Sequence, residues 1–61
     1  MKKPKHLQLL TVEEVARRLS VATRTVRRLI DRGELPAHRM GRMVRVSEDD
    51  LERFGRGLRD V

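Results

Sequence analysis

Arg24, Arg27 and Arg28 recur at i, i+3 and i+4, with Asp31 following at i+7. On a helix this spacing gathers the three guanidinium groups on one face. Each guanidinium is a planar fork of donors that can take guanine O6 and N7 together, or two phosphate oxygens. Three more arginines, Arg39, Arg42 and Arg45, follow in a short stretch with Gly41-Arg42 at its centre. Catalysis has no comparable basis. Glu13/Glu14 and Asp49/Asp50 stand where helix N-termini call for acids. Two histidines, His6 and His38, and no cysteine cannot supply a nucleophile–base set or a metal cluster. The chemistry on offer is therefore recognition of a polyanion. The expectation is a binding protein, not an enzyme, with no cofactor and no metal.

The charge balance points the same way. The chain of 61 residues carries a net charge of +6 and has a pI of about 11.3. The charge is concentrated in residues 20–46, where seven arginines face only Asp31 and Glu34. A single aromatic residue, Phe54, argues against single-stranded nucleic acid, which is normally held by stacking bases on aromatic rings. Double-stranded DNA is the expected partner. No apolar run approaches the ~20 residues of a membrane span, and no signal peptide is visible. A chain of this length forms one domain with a thin core, burying only about 60% of its unfolded surface. The absence of cysteine fits a reducing cytoplasm, and a nucleoid-associated location is expected.

The elements that must position the arginines can be read from local signals. Residues 1–8 are aperiodic and lysine-rich, a basic N-terminal arm. Thr11 and Glu14 have the spacing of a capping box, with Leu10 and Val15 placed as a hydrophobic staple. Val12, Val15, Ala16 and Leu19 then form the apolar face of a first helix ending near Leu19. Arg17 and Arg18 suit its C-terminal dipole. Ser20-Val21-Ala22 is a short break, and a second helix opens at Ala22 or Thr23. Val26, Leu29 and Ile30 back that helix, opposite the arginine stripe. Gly33 stops it and Pro36 prevents its return.

Gly41-Arg42 suits a two-residue type II′ turn in a hairpin. This register sets Arg39 opposite Val44, His38 opposite Arg45 and Met40 opposite Met43. The Ala37/Val44/Val46 face must lie on the helices, because a lone hairpin is marginal. His38 is expected to be an exposed strand residue, and Met40 and Met43 to be packing or tip residues. Ser47 caps a third helix whose first turn is acidic, and Leu51, Phe54 and Leu58 return to the core. Gly55 and Gly57 weaken its end, so residues 56–61 are expected to fray and 55–61 to form a C-terminal tail.

Two short helices joined by a tight turn, the second with an arginine stripe, make a helix-turn-helix, and the hairpin adds a wing. The expected fold is mainly α with a small β-hairpin, a winged helix-turn-helix over residues 9–54. A solvated face is the ordinary fate of a charge run, but only Asp31 is placed to neutralise this one. Arg45 reads equally as a ribbon-edge solubiliser or a phosphate contact. Arg39 could instead rest its stem on Val44.

The order of these pieces resembles the excisionase-type ("type 17") helix-turn-helix family, minimal relatives of MerR-type DNA-binding domains. The resemblance runs from Leu9 to Phe54. It is carried by Leu10-Thr11-Val12-Glu13-Glu14-Val15-Ala16, Thr25-Val26-Arg27-Arg28-Leu29-Ile30, Arg32-Gly33-Glu34-Leu35-Pro36-Ala37, Arg39-Met40-Gly41-Arg42 and Val44-Arg45-Val46-Ser47-Glu48-Asp49-Asp50-Leu51. It implies that the second helix enters the major groove, with Thr23, Arg24, Arg27 and Arg28 facing it and Arg39 and Arg42 as wing contacts. Thr25 and Arg45 complete the expected DNA-binding set. Where relatives commonly read Gly-Val-Ser, this chain has Ser20-Val21-Ala22, which leaves Thr23 to take over the missing serine cap. Val44 stands where many relatives carry tryptophan.

The resemblance further implies an excisionase, a recombination directionality factor that binds tandem sites cooperatively, bends DNA and promotes integrase-mediated excision. Its implied partners are duplex DNA, an integrase or recombinase, and head-to-tail copies of itself, in a bacterial or phage-infected cell. Few residues follow Phe54, which disfavours the long dimerisation helix of MerR-type regulators. A small MerR-like transcription regulator without an effector domain is the alternative. An adaptor docking an acidic protein surface is the third reading.

Overall fold

A computed structural model describes residues 8–59, the side chains of Leu58 and Arg59 excepted. The element order is β1 (Leu9–Thr11), α1 (Val12–Leu19), α2 (Thr23–Asp31), β2 (His38–Met40), β3 (Met43–Ser47) and α3 (Glu48–Arg59). Three helices thus surround a small antiparallel sheet of order β1-β3-β2, the expected winged helix-turn-helix. The arm at residues 1–8 lies outside the described residues, save Gln8.

The caps form as the residue types dictate. The Glu14 amide donates to Thr11 Oγ1 (3.1 Å) while the Thr11 amide donates to Glu14 Oε1 (3.0 Å), a complete capping box. Ser47 Oγ accepts from the Asp50 amide at 3.1 Å and caps α3. The chain leaves α1 through Ser20 in the left-handed region, φ 58° and ψ 44°. Here the Ser20 amide donates to the Arg17 carbonyl and the Val21 amide to the Ala16 carbonyl, the bond pair of a Schellman ending. The same pair closes α2, where Gly33 (φ 77°) donates to Ile30 and Glu34 to Leu29. Glycine adopts this conformation without a Cβ clash, whereas Ser20 bears one.

Ala22, not Thr23, is the N-cap of α2, and no side chain caps it. The expected transfer of the cap to Thr23 is thus corrected. Thr23 already has helical geometry as the first residue of α2, so its hydroxyl is not at the capping position.

The hairpin register is as expected, His38↔Arg45, Arg39↔Val44 and Met40↔Met43. Gly41 has φ 62°, the positive sign that the first position of a II′ turn demands. His38 is exposed. So are Met40 and Met43, which rules out the packing role considered for them. One strand goes beyond the sequence reading. Leu9–Thr11 pairs with β3 (Leu9↔Ser47, Leu10↔Val46, Thr11↔Arg45), so the wing is anchored in a three-stranded sheet. Leu10 is buried against the same core as Val15, together with Val12, Ala16, Val26, Leu35, Val46 and Leu51. Leu19, Leu29, Ile30, Ala37, Val44 and Phe54 pack around it, half-buried.

The expected fraying of 56–61 is corrected as far as Arg59, because α3 runs to that residue. Phe54 holds the helix to the core. Asp49–Arg53 (3.2 Å) and Glu52–Arg56 (4.0 Å) pairs line its exposed side, which offsets the low propensity of Gly55 and Gly57. Residues 60 and 61 and the expected core contact of Leu58 lie outside the described part. Arg17 and Arg18 stand in the last turn of α1, where its dipole favours cations, and Arg18 also ties α1 to the start of α3 through Glu48 at 2.8 Å.

Candidate nucleic-acid interface

With Val26 fully buried and Leu29 and Ile30 half-buried, α2 turns its opposite face outward. Thr23, Arg24, Arg27 and Arg28 are exposed there, while Thr25 is half-buried. The side chains of Arg24, Arg27 and Arg28 make no ion pair or hydrogen bond among the described residues. Their charge is available to an outside partner. With alanine at the cap, the positive end of the helix dipole is also open.

The wing stands beside this face. A cleft of about 240 Å³ is lined by Arg27 of α2, by Arg42, Met43, Val44 and Arg45 of the hairpin, and by Val12 and Glu13 of α1. An adjoining one of about 80 Å³ is lined by Arg27, Ile30, Asp31, Arg39 and Val44. Arg27 borders both and marks the junction of helix and wing. Arg42 sits exposed at the tip without a partner among the described residues. Thr23, Arg24, Thr25 and Arg28 line neither cleft; Thr23, Arg24 and Arg28 belong to the open face of α2, and Thr25 is half-buried.

Two of the wing arginines are already engaged. Arg39 Nη2 donates to Asp31 Oδ1 at 3.3 Å, with both side chains largely exposed. Asp31 therefore does not neutralise the α2 stripe; it latches the wing to the end of the helix. Arg45 folds back on its own strand, Nη1 donating to the Val44 carbonyl (2.9 Å) and Nη2 lying 3.9 Å from Met43 Sδ. Sequence reasoning also missed Glu13. Its place in the first turn of α1 explains it as a helix N-terminal acid, yet it also lines the cleft that Arg27, Arg42 and Arg45 border. The docking of α1 beside the wing put it there, and no local signal marks that docking.

Glu13 and Asp31 line the two clefts, whereas the acids of α3 line neither. Glu48, Asp49 and Asp50 occupy the first turn of α3, and Arg18, Arg53 and Arg56 are paired to the acids of that helix. Among the described residues the arginines without an ion pair or side-chain hydrogen bond are Arg24, Arg27 and Arg28 on α2, Arg42 at the wing tip and Arg17 on α1. Such an arrangement can hold a polyanion across two elements, with fork donors on a helix narrow enough for a groove about 12 Å wide.

Comparison with known proteins agrees with this geometry. A "Helix-turn-helix domain" family matches residues 9–57. The chain is 49% identical over 49 residues, or 80% of its length, to the "Uncharacterized protein YvgK" of Bacillus subtilis (strain 168), of which it spans 16%. It is 59% identical over 39 residues, or 64% of its length, to the "Putative DNA-binding protein MT0521" of Mycobacterium tuberculosis (strain CDC 1551 / Oshkosh), of which it spans 50%. The chain thus covers half or less of the length of these relatives. Among the described residues no helix is long and apolar enough to cross a membrane. The match over 9–57, on a fold with two short helices, a tight turn and a wing, makes the chain a member of the helix-turn-helix domain family of small excisionase-like proteins.

Proposed function

We propose that this domain recognises specific sequences in double-stranded DNA, with α2 in the major groove and the β2–β3 wing on the adjacent backbone or minor groove. The observation that carries the reading is the set of unpartnered guanidinium groups of Arg24, Arg27, Arg28 and Arg42 on one face. Arg39 and Arg45 reinforce it from the wing, and Thr23 and Thr25 flank it at the helix start. The name of the Mycobacterium tuberculosis relative supports the same partner. The domain acts by binding alone, without catalysis, in the cytoplasm with the nucleoid.

Within that reading, the domain is an excisionase-type factor. It occupies tandem sites head to tail, bends the DNA and helps an integrase assemble the excisive complex. The excisionase-like character of its family supports this choice. Selection of bound duplexes from a random pool, followed by gel-shift titration on the winners, tests it. Direct repeats that fill cooperatively and migrate as bent complexes are expected. One discrete complex on a single or inverted site makes the domain a transcription regulator. Failure to select any duplex, with capture of an acidic protein, makes it an adaptor.

A further inference from the structure

Among the described residues four large hydrophobic side chains are exposed, Leu9, Val21, Met40 and Met43. Two of them, Met40 (46% exposed) and Met43 (49%), are partners across the last pair of the β2–β3 ribbon. The Gly41-Arg42 turn joins them. Direct cross-strand partners share a face with Cβ atoms about 4.5–5.5 Å apart. The two thioethers therefore form one apolar ridge at the tip. Strand alternation puts Met43 on the face away from Val44, which packs on the core. Two arginines neighbour the ridge: Arg42 is exposed in the turn, and Arg45 Nη2 lies 3.9 Å from Met43 Sδ.

We propose that the Met40–Met43 pair is a wedge that enters the minor groove next to the major groove read by α2 and unstacks a base step there. The proposal rests on the DNA-binding reading above. Charge complementarity selects the occupant, since an apolar ridge with arginines next to it matches a groove whose sugars and base edges are bordered by phosphates. The ridge is only two side chains, well short of the ~800 Å² per partner that a standard protein interface buries. A methionine side chain is unbranched and flexible, and can slide between base pairs as known apolar wedges do. A ribbon with strands about 4.8 Å apart, plus side chains, cannot sit in a groove about 6 Å wide without opening it. Opening the groove bends the duplex toward the major groove, typically by ~20–90°.

The test uses the intact chain on its selected duplex, with end-to-end energy transfer reporting the bend and anisotropy reporting affinity. The variant Met40→Gln/Met43→Gln keeps side-chain length at exposed positions. It is expected to bind about tenfold more weakly, because apolar contact is lost, and to leave the duplex nearly straight. A duplex with an unpaired base at the wing step should restore most of its affinity. Met40→Leu/Met43→Leu should bend DNA as the wild type does. A glutamine variant that bends DNA fully, or a wild-type protein that binds a straight duplex, overturns the wedge and leaves the DNA-binding reading intact. A wild-type protein that binds no duplex overturns both.

Discussion

The salt dependence of DNA binding measures how the arginines of α2 and the wing are used. Four of them, Arg24, Arg27, Arg28 and Arg42, have no partner among the described residues. Arg39 is held by Asp31 at 3.3 Å, and Arg45 is turned onto the Val44 carbonyl. Each phosphate neutralised on B-DNA contributes about −0.9 to the slope of log affinity against log salt. Four contacts give about −3.6, and recruitment of all six gives about −5.4. Between 50 and 200 mM salt those slopes correspond to losses of roughly 150-fold and roughly 1,800-fold. Asp31→Asn releases Arg39 and removes a carboxylate from the groove. Its slope should steepen by about 0.9, an additional factor of roughly 3.5 over the same range. Because both side chains of that ion pair are largely exposed, the substitution should change folding stability by less than about 1 kcal/mol. Fluorescence anisotropy on the selected duplex, repeated over a salt series, reads the slopes, and thermal unfolding reads the stability. A wild-type slope shallower than about −2 refutes the placement of the arginine face on DNA. A slope for the Asp31→Asn variant equal to that of the wild type refutes the latch.

Four further substitutions have expected outcomes. Ser20→Gly relieves the left-handed conformation of a residue with a Cβ, and Ala22→Ser supplies the missing cap of α2. The gains should be about 0.5–1 and about 1 kcal/mol, each kcal/mol raising Tm by roughly 4–8 °C in thermal unfolding. Glu14 is held below its ordinary value of 4.5, first by the Thr11 amide, then by the Thr11 hydroxyl, with Arg17 and Arg18 adding to it. Its contribution to stability is present above that ordinary value and is lost as pH falls through the lowered one. Glu14→Gln, which retains a capping-box residue, should therefore flatten the acid limb of the stability profile seen by circular dichroism; an unchanged limb assigns it to other groups. Arg27→Ala should cost about 1–3 kcal/mol on the selected site and much less on random duplex if Arg27 reads a base, as competition gel shifts would show. Equal losses on both would make Arg27 a phosphate contact.

Most of the scaffold was legible because its signals act over a few residues. A threonine three positions before a glutamate, a glycine after Arg32 and a glycine opening a two-residue turn each impose their geometry on their own neighbours. The capping box, the Gly33 ending and the hairpin register all follow from such short-range chemistry. The arginine stripe was legible for the same reason, since helical periodicity alone separates it from Val26, Leu29 and Ile30. The α2 cap was misplaced by one residue because a cap depends on where the backbone first becomes helical, and Thr23 lies already inside that boundary.

What lay beyond the sequence concerns residues distant along the chain. Leu9–Thr11 has no alternating pattern of its own; it becomes a strand because packing Leu10 beside Val46 brings its backbone against β3. Asp31 meets Arg39, and Glu13 comes to line one cleft with Arg42 and Arg45, through the angle at which α1, α2 and the sheet dock. Residue types along the chain therefore determined the elements and their charged face. The docking of those elements around one small core decided which arginines remain free, because pairing between exposed charges depends on separations of a few ångströms that local sequence does not encode.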